Sequence, residues 1–128
     1  MSTARLPLIV SYALLSALLA IGIWMALPAR WLPVDVIGSA LSLGCAAAAV
    51  LLAMGAPVAA RLSIAVSWAL LACGGAATTA LAWTAAHLAG LYGPVGAGGA
   101  LLMGAVAVLV LPYLVGLPAL QLSALRRS

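Results

Sequence analysis

The chain has 128 residues, 68% of them hydrophobic and 5% charged, with a mean hydropathy of +1.35, whereas a soluble domain carries about a quarter charged residues. That excludes a water-soluble fold, because a chain of this length cannot enclose so much apolar surface, and it points to lipid as the solvent. The net charge of +4 comes from five arginines against one aspartate, and no nucleic-acid partner is expected.

Four apolar stretches reach the roughly 20 residues a helix needs to cross the hydrocarbon core. They cover residues 6–27, 34–54, 62–88 and 100–125. They predict an all-α integral membrane protein, a single domain of four antiparallel transmembrane helices in an up-down bundle. The first stretch, preceded by MSTAR and followed by ALPA before Arg30, imitates a secretory signal with a small-residue cleavage site. Its apolar run is longer than the usual core of such a signal, so it is expected to stay as a first span.

The connection LPARWLP lies between Pro28 and Pro33, which end one helix and start the next because proline lacks an N–H and fixes φ. Asp35 follows in the first turn of the second helix, where unpaired N–H groups favour an anion. Arg30 is close enough in sequence to form an ion pair with Asp35, the sole acidic residue. A cation or proton site at Asp35 is the sharper alternative, which its interfacial position disfavours.

If four helices alternate, Arg5, Arg61, Arg126 and Arg127 fall on one side and Arg30 alone on the other. Cytoplasmic flanks are enriched in basic residues, so both termini are expected to be cytoplasmic. Trp24, Trp31, Trp83 and Tyr92 then gather at the outer ends of the helices, and Trp68 and Tyr12 lie toward the inner side; Trp24, Trp31, Trp68, Trp83 and Tyr92, together with Arg126 and Arg127, are the expected interfacial anchors. The absence of Phe, Lys, Asn and Glu beside abundant Ala, Gly and Leu resembles a GC-rich coding bias. The expected location is therefore a bacterial inner (cytoplasmic) membrane.

Helices in lipid associate by close contact between small residues. The second helix offers Gly38, Ser39, Ser42, Gly44 and Ala46 to Ala49; the third offers Ser67, Gly74, Gly75, Thr78, Thr79, Ala82 and Ala86. The short GAPVAAR connection makes these two helices antiparallel neighbours, and the breadth of the small-residue face on the third implies more than one neighbour. Of these, Gly38, Ser42, Gly44, Gly74, Gly75, Thr78 and Thr79 are the principal packing candidates. Cys45 and Cys73 lie at similar depth from opposite ends and are expected to act as small apolar fillers, since two cysteines without a ligand cluster form no metal motif.

Trp83 and the lone histidine, His87, are one helical step apart near the outer end of the third helix, with Gly90 as a helix stop. His87 is expected to act as an interfacial or capping residue. A b-type haem usually takes two axial histidines, so His87 could bind one only across a symmetric dimer, and no cofactor or metal is expected. The run GPVGAGG lacks the strand that a phosphate-cradling loop requires and is too short to re-enter the membrane alone. It is expected to form a turn before the fourth helix. That helix carries Pro112, Gly116 and Pro118, a candidate hinge, because the prolines leave the carbonyls of Val108 and Leu114 without their helical donors. Its outer half should end near Leu111.

Catalysis needs convergent acids, bases, nucleophiles or metals, and one Asp, one His and two separated Cys do not supply them; no enzyme is expected. In length and helix count the chain is similar to small multidrug transporters, but their membrane-embedded Glu has no counterpart because Glu is absent. The expected function is a non-catalytic multi-pass subunit that packs against other membrane subunits or copies of itself. A small oligomeric channel or transporter, with its pathway along the third and fourth helices, is the alternative.

Overall fold

The computed structural model describes residues 5–26 and 30–127. The MSTA start, Leu27, Pro28 and Ala29 of the first connection, and Ser128 lie outside the described residues, and with them the signal-like flanks and the Pro28 helix end. Helix α1, Leu6–Ile21, continues into a π-helical turn, Gly22–Ala26; α2 spans Leu32–Met54, α3 Ala59–Leu91 and α4 Gly93–Leu111. A second π-helical turn, Pro112–Gly116, joins α4 to α5, Leu117–Arg127. No strand occurs among the described residues. Four apolar helical spans result, Leu6–Met25, Leu32–Met54, Ala59–Leu91 and Gly93–Arg127, each long and apolar enough to cross a bilayer. The chain is a multi-pass membrane protein.

Helix ends follow local chemistry. Prolines stand in the first turns of α1, α2 and α4, where an N–H has no helical acceptor anyway. At the end of α2, Gly55 takes φ 68°, a left-handed value that glycine adopts without a Cβ penalty. The Ala56 N–H donates to the Leu51 carbonyl at 3.0 Å and the Gly55 N–H to Leu52 at 3.2 Å, closing a Schellman turn before Pro57.

The largest departures from the expected boundaries are at the connection between the third and fourth spans, while α2 and α3 also start two and three residues earlier than expected, at Leu32 and Ala59. Helix α3 runs past Gly90 to Leu91, and α4 starts at Gly93, so most of GPVGAGG is helix, not turn. The turn shrinks to Tyr92 and Gly93, the latter at φ 56°. Glycine is a poor helix former in water, by about 1 kcal/mol relative to alanine. At the membrane, backbone groups left without a helical partner cost several kcal/mol each, and that greater penalty favours helix through the glycines.

The chain divides into two compact units, Met1–Ala69 with Leu120–Ser128, and Leu70–Ala119. In the first unit the buried positions recur every three or four residues: Gly38, Ser42, Cys45, Ala48, Ala49 and Leu52 on α2, and Ala59, Ser63, Val66 and Ser67 on α3. That period marks one buried stripe per helix. Helices α1 and α2 are antiparallel, because contacts descend α1 as they climb α2: Ile23 lies against Gly38, Ser16 bonds Ser42, and Arg5 reaches Gly55. Gly38 has no room for a Cβ beside the Ile23 side chain, and Gly44 faces Val66. Large apolar side chains point outward instead, with Leu43 71% exposed at mid-span. A soluble protein places its large apolar residues the other way round.

In the second unit only Leu70, Gly74, Gly96 and Pro118 are buried. Pro118 has no N–H for the Leu114 carbonyl, and the Leu117 N–H reaches back five residues to Pro112. The proline pair thus accounts for the π-helical turn. Gly74 lies against that same Leu114 carbonyl; a Cβ there would overlap the oxygen and stand 3.0 Å from the carbonyl carbon and from Leu114 Cβ.

Candidate functional site

The densest polar arrangement among the described residues is a buried junction in the first unit. Tyr12, Ser63 and Ser67 are fully buried, and Gln121 nearly so. Helix period brings them inward: Ser63 and Ser67 are one turn apart on α3, and Gln121 and Leu122 are the buried positions of α5 in this unit.

The Tyr12 hydroxyl donates to the Ser63 carbonyl at 3.0 Å and lies 2.7 Å from Ser67 Oγ. Ser67 Oγ donates to Gln121 Oε1 at 3.1 Å, Gln121 Nε2 donates to Ser11 Oγ at 2.9 Å, and Ser11 Oγ donates to the Leu8 carbonyl at 2.8 Å. Each hydroxyl has one proton, so with Ser67's given to Gln121 the Tyr12 hydroxyl shares its own between the Ser63 carbonyl and Ser67 Oγ, and the bonds then run from Tyr12 through Ser67 to Gln121, Ser11 and a backbone carbonyl. A second clasp joins α1 to α2, where Ser16 Oγ donates to the Ser42 carbonyl and Ser42 Oγ to the Ser16 carbonyl, both at 2.9 Å. Ser63 Oγ is buried without a hydrogen-bond partner among the described residues.

Tyr, Ser and Gln here supply hydrogen bonds and no carboxylate or imidazole. The junction therefore clamps α1, α3 and α5 together by side-chain hydrogen bonds. No group of three or more His, Cys, Asp or Glu side chains comes together among the described residues.

The sequence candidates are placed as follows. Arg30 Nη1 lies 3.8 Å from Asp35 Oδ2, and the Arg30 guanidinium stacks 4.6 Å from the Trp24 ring centroid, a cation–π contact. Asp35 Oδ1 and Ser39 Oγ, one turn on, are buried without a hydrogen-bond partner among the described residues. Trp24, Trp31, Trp68, Trp83 and Tyr92 are exposed, as are Arg126 and Arg127. His87 is exposed on α3. Cys45 is buried and Cys73 half-buried, both as free thiols. Gly38, Ser42 and Gly74 are buried, Gly44, Gly75 and Thr78 half-buried and Thr79 exposed; at the candidate hinge Pro112 is exposed, Gly116 half-buried and Pro118 buried. The hydroxyls of Thr78, Thr79 and Thr84 each donate to the carbonyl four residues back at 2.8 Å.

The sequence reading missed Ser11, Ser16, Ser63 and Gln121. Their signal was present: a glutamine amide or serine hydroxyl inside an apolar span favours a hydrogen bond across helices. No protein-family model, no curated protein and no solved structure matches this chain.

Proposed function

We propose that the protein is a non-catalytic multi-pass subunit that packs against other membrane subunits or copies of itself in a larger membrane complex. The observation that carries this is the open small-residue surface of the second unit. A Cβ placed at Gly75, Gly90, Gly98, Gly104 or Gly116 meets nothing within 4 Å. Glycine facing lipid weakens a helix and packs against nothing, whereas glycine facing another helix permits the close approach that holds membrane helices together. The open glycines therefore fit a surface that a partner covers. The proposed orientation has both termini in the cytoplasm, with Arg5, Arg61, Arg126 and Arg127 on that face of a bacterial inner membrane, following the basic-residue rule.

The test is single-molecule photobleaching of the labelled protein in bilayers, with purification in mild detergent to find copurifying subunits. More than one bleaching step per particle, or a stoichiometric membrane partner, is expected. Gly75→Leu with Gly104→Leu should weaken that association about tenfold by overpacking the interface. Isolated monomers with no copurifying partner would overturn the proposal.

A small oligomeric channel or transporter along the third and fourth spans is the second reading, favoured by the π-helical turn at Pro112–Gly116. Against it, the hydroxyl protons of Thr78, Thr79 and Thr84 are committed to their own helix. Ion or solute flux from liposomes loaded with the purified protein would favour this reading over the first.

A further inference from the structure

We propose that the first unit holds one anionic phospholipid at its arginine-rich end. A groove of about 1060 Å³ opens there between the start of α1, the α2–α3 turn and α5. Arg5 and Arg127 line it together with Ser123, and Leu8, Leu52 and Leu120 give it apolar walls. Arg5 Nη1 lies 3.7 Å from where a Cβ on Gly55 would stand, which seats this guanidinium at the α2–α3 turn. The combination of guanidinium donors and leucine walls matches the two halves of a phospholipid, a charged phosphate and the upper part of an acyl chain.

Charge decides which lipid. The sole acidic side chain, Asp35, is in the first turn of α2, whereas the groove meets the last turn of the same helix. About 20 residues of helix separate the two, or roughly 30 Å at 1.5 Å per residue. No side-chain carboxylate of this chain therefore neutralises Arg5 or Arg127. Guanidinium groups match phosphate oxygens with paired, planar donors, and each basic residue near an anionic leaflet is attracted by about 1 kcal/mol. Arg61 and Arg126 also belong to the first unit but do not line the groove. They provide an internal control that separates a discrete site from general surface attraction.

The test is native mass spectrometry of the whole protein released from nanodiscs containing phosphatidylglycerol and phosphatidylcholine with identical acyl chains. One retained phosphatidylglycerol per chain is expected, preferred over phosphatidylcholine by about tenfold or more, on the scale of one to two attracted charges. Arg5→Gln with Arg127→Gln should abolish the preference, Arg5→Lys with Arg127→Lys should keep part of it, and Arg61→Gln with Arg126→Gln should leave it intact. If the Gln pair does not fold, the Lys pair and the Arg61/Arg126 pair still decide the matter. Equal retention of both lipids overturns the proposal, as does equal loss in the Arg61/Arg126 pair, displacement by millimolar inorganic phosphate, or an acidic polypeptide occupying the groove instead.

Discussion

Replacing Gly74 by alanine is expected to destabilise the protein by about 1–3 kcal/mol, the usual cost of overpacking a tight contact, whereas the same replacement at Gly75 is expected to be neutral or mildly stabilising. The two glycines are adjacent on one helix, so any effect of alanine on helix propensity, up to about 1 kcal/mol in its favour, applies to both. They differ in what a Cβ meets. At Gly74 it overlaps the Leu114 carbonyl oxygen, and at Gly75 it meets open space. A flexible side chain could swing aside, but a backbone carbonyl cannot move without shifting its helix. Leu114 is also the residue whose carbonyl Pro118 leaves without its ordinary helical donor, so Gly74 and the proline pair form one structural unit. Reversible unfolding in bicelles, read as the difference between the two variants, checks this. Equal stabilities would show that α3 does not approach Leu114 as described.

The second large effect lies at Gln121. Its amide makes two buried bonds, accepting from Ser67 at 3.1 Å and donating to Ser11 at 2.9 Å. Gln121→Leu keeps much of the volume and removes both, so a loss of about 1–3 kcal/mol is expected from the stranded partners. Interhelical hydrogen bonds in membranes average about 0.6 kcal/mol and reach about 1.7, so two average bonds, about 1.2 kcal/mol together, fall in the lower part of the 1–3 kcal/mol expected. Tyr12→Phe removes one hydroxyl and should cost about 1 kcal/mol, since the Ser63 carbonyl keeps its place in the α3 helix and only the bonds made by the Tyr12 hydroxyl are lost. Because Ser67 links both residues, the double variant should lose less than the sum of the single losses. A double-mutant cycle on unfolding free energy measures this, and additive losses would mean that the bonds do not act as a chain.

The parts of this fold that could be read from sequence are those set by local chemistry. Four apolar runs marked four spans, and Pro112 marked the end of α4 at Leu111 because a missing N–H is a property of one residue. The start of α4 was not legible: the glycines of GPVGAGG carry the same local preferences in a turn as in a helix, and the lipid's demand for bonded backbone settled the difference. The polar junction was harder still. Tyr12 pairs with residues 51 and 55 positions away, and Gln121 with one 110 positions away. Which hydroxyls meet depends on the rotation of each helix about its axis, and a chain rich in Ala, Leu and Gly fixes that phase weakly. The principal small-residue positions were visible as a composition. Which of them meet backbone, as Gly74 does, and which stay open, as Gly75 does, became visible only with the helices in place.

Lipid must cover the outward-facing apolar residues if this fold is to be stable, and Leu43 tests that most directly. It lies at the middle of α2 and is 71% exposed, so the described residues of its own unit do not shield it. In a background with Cys45 and Cys73 replaced by serine, Leu43→Cys should resist a water-soluble, membrane-impermeant maleimide in sealed vesicles and also after the vesicles are opened on both sides. Trp31→Cys and Ala56→Cys, at opposite ends of the same helix, should react once their side is reachable. Rapid labelling of the cysteine at position 43 in intact bilayers would place water where this structure requires hydrocarbon.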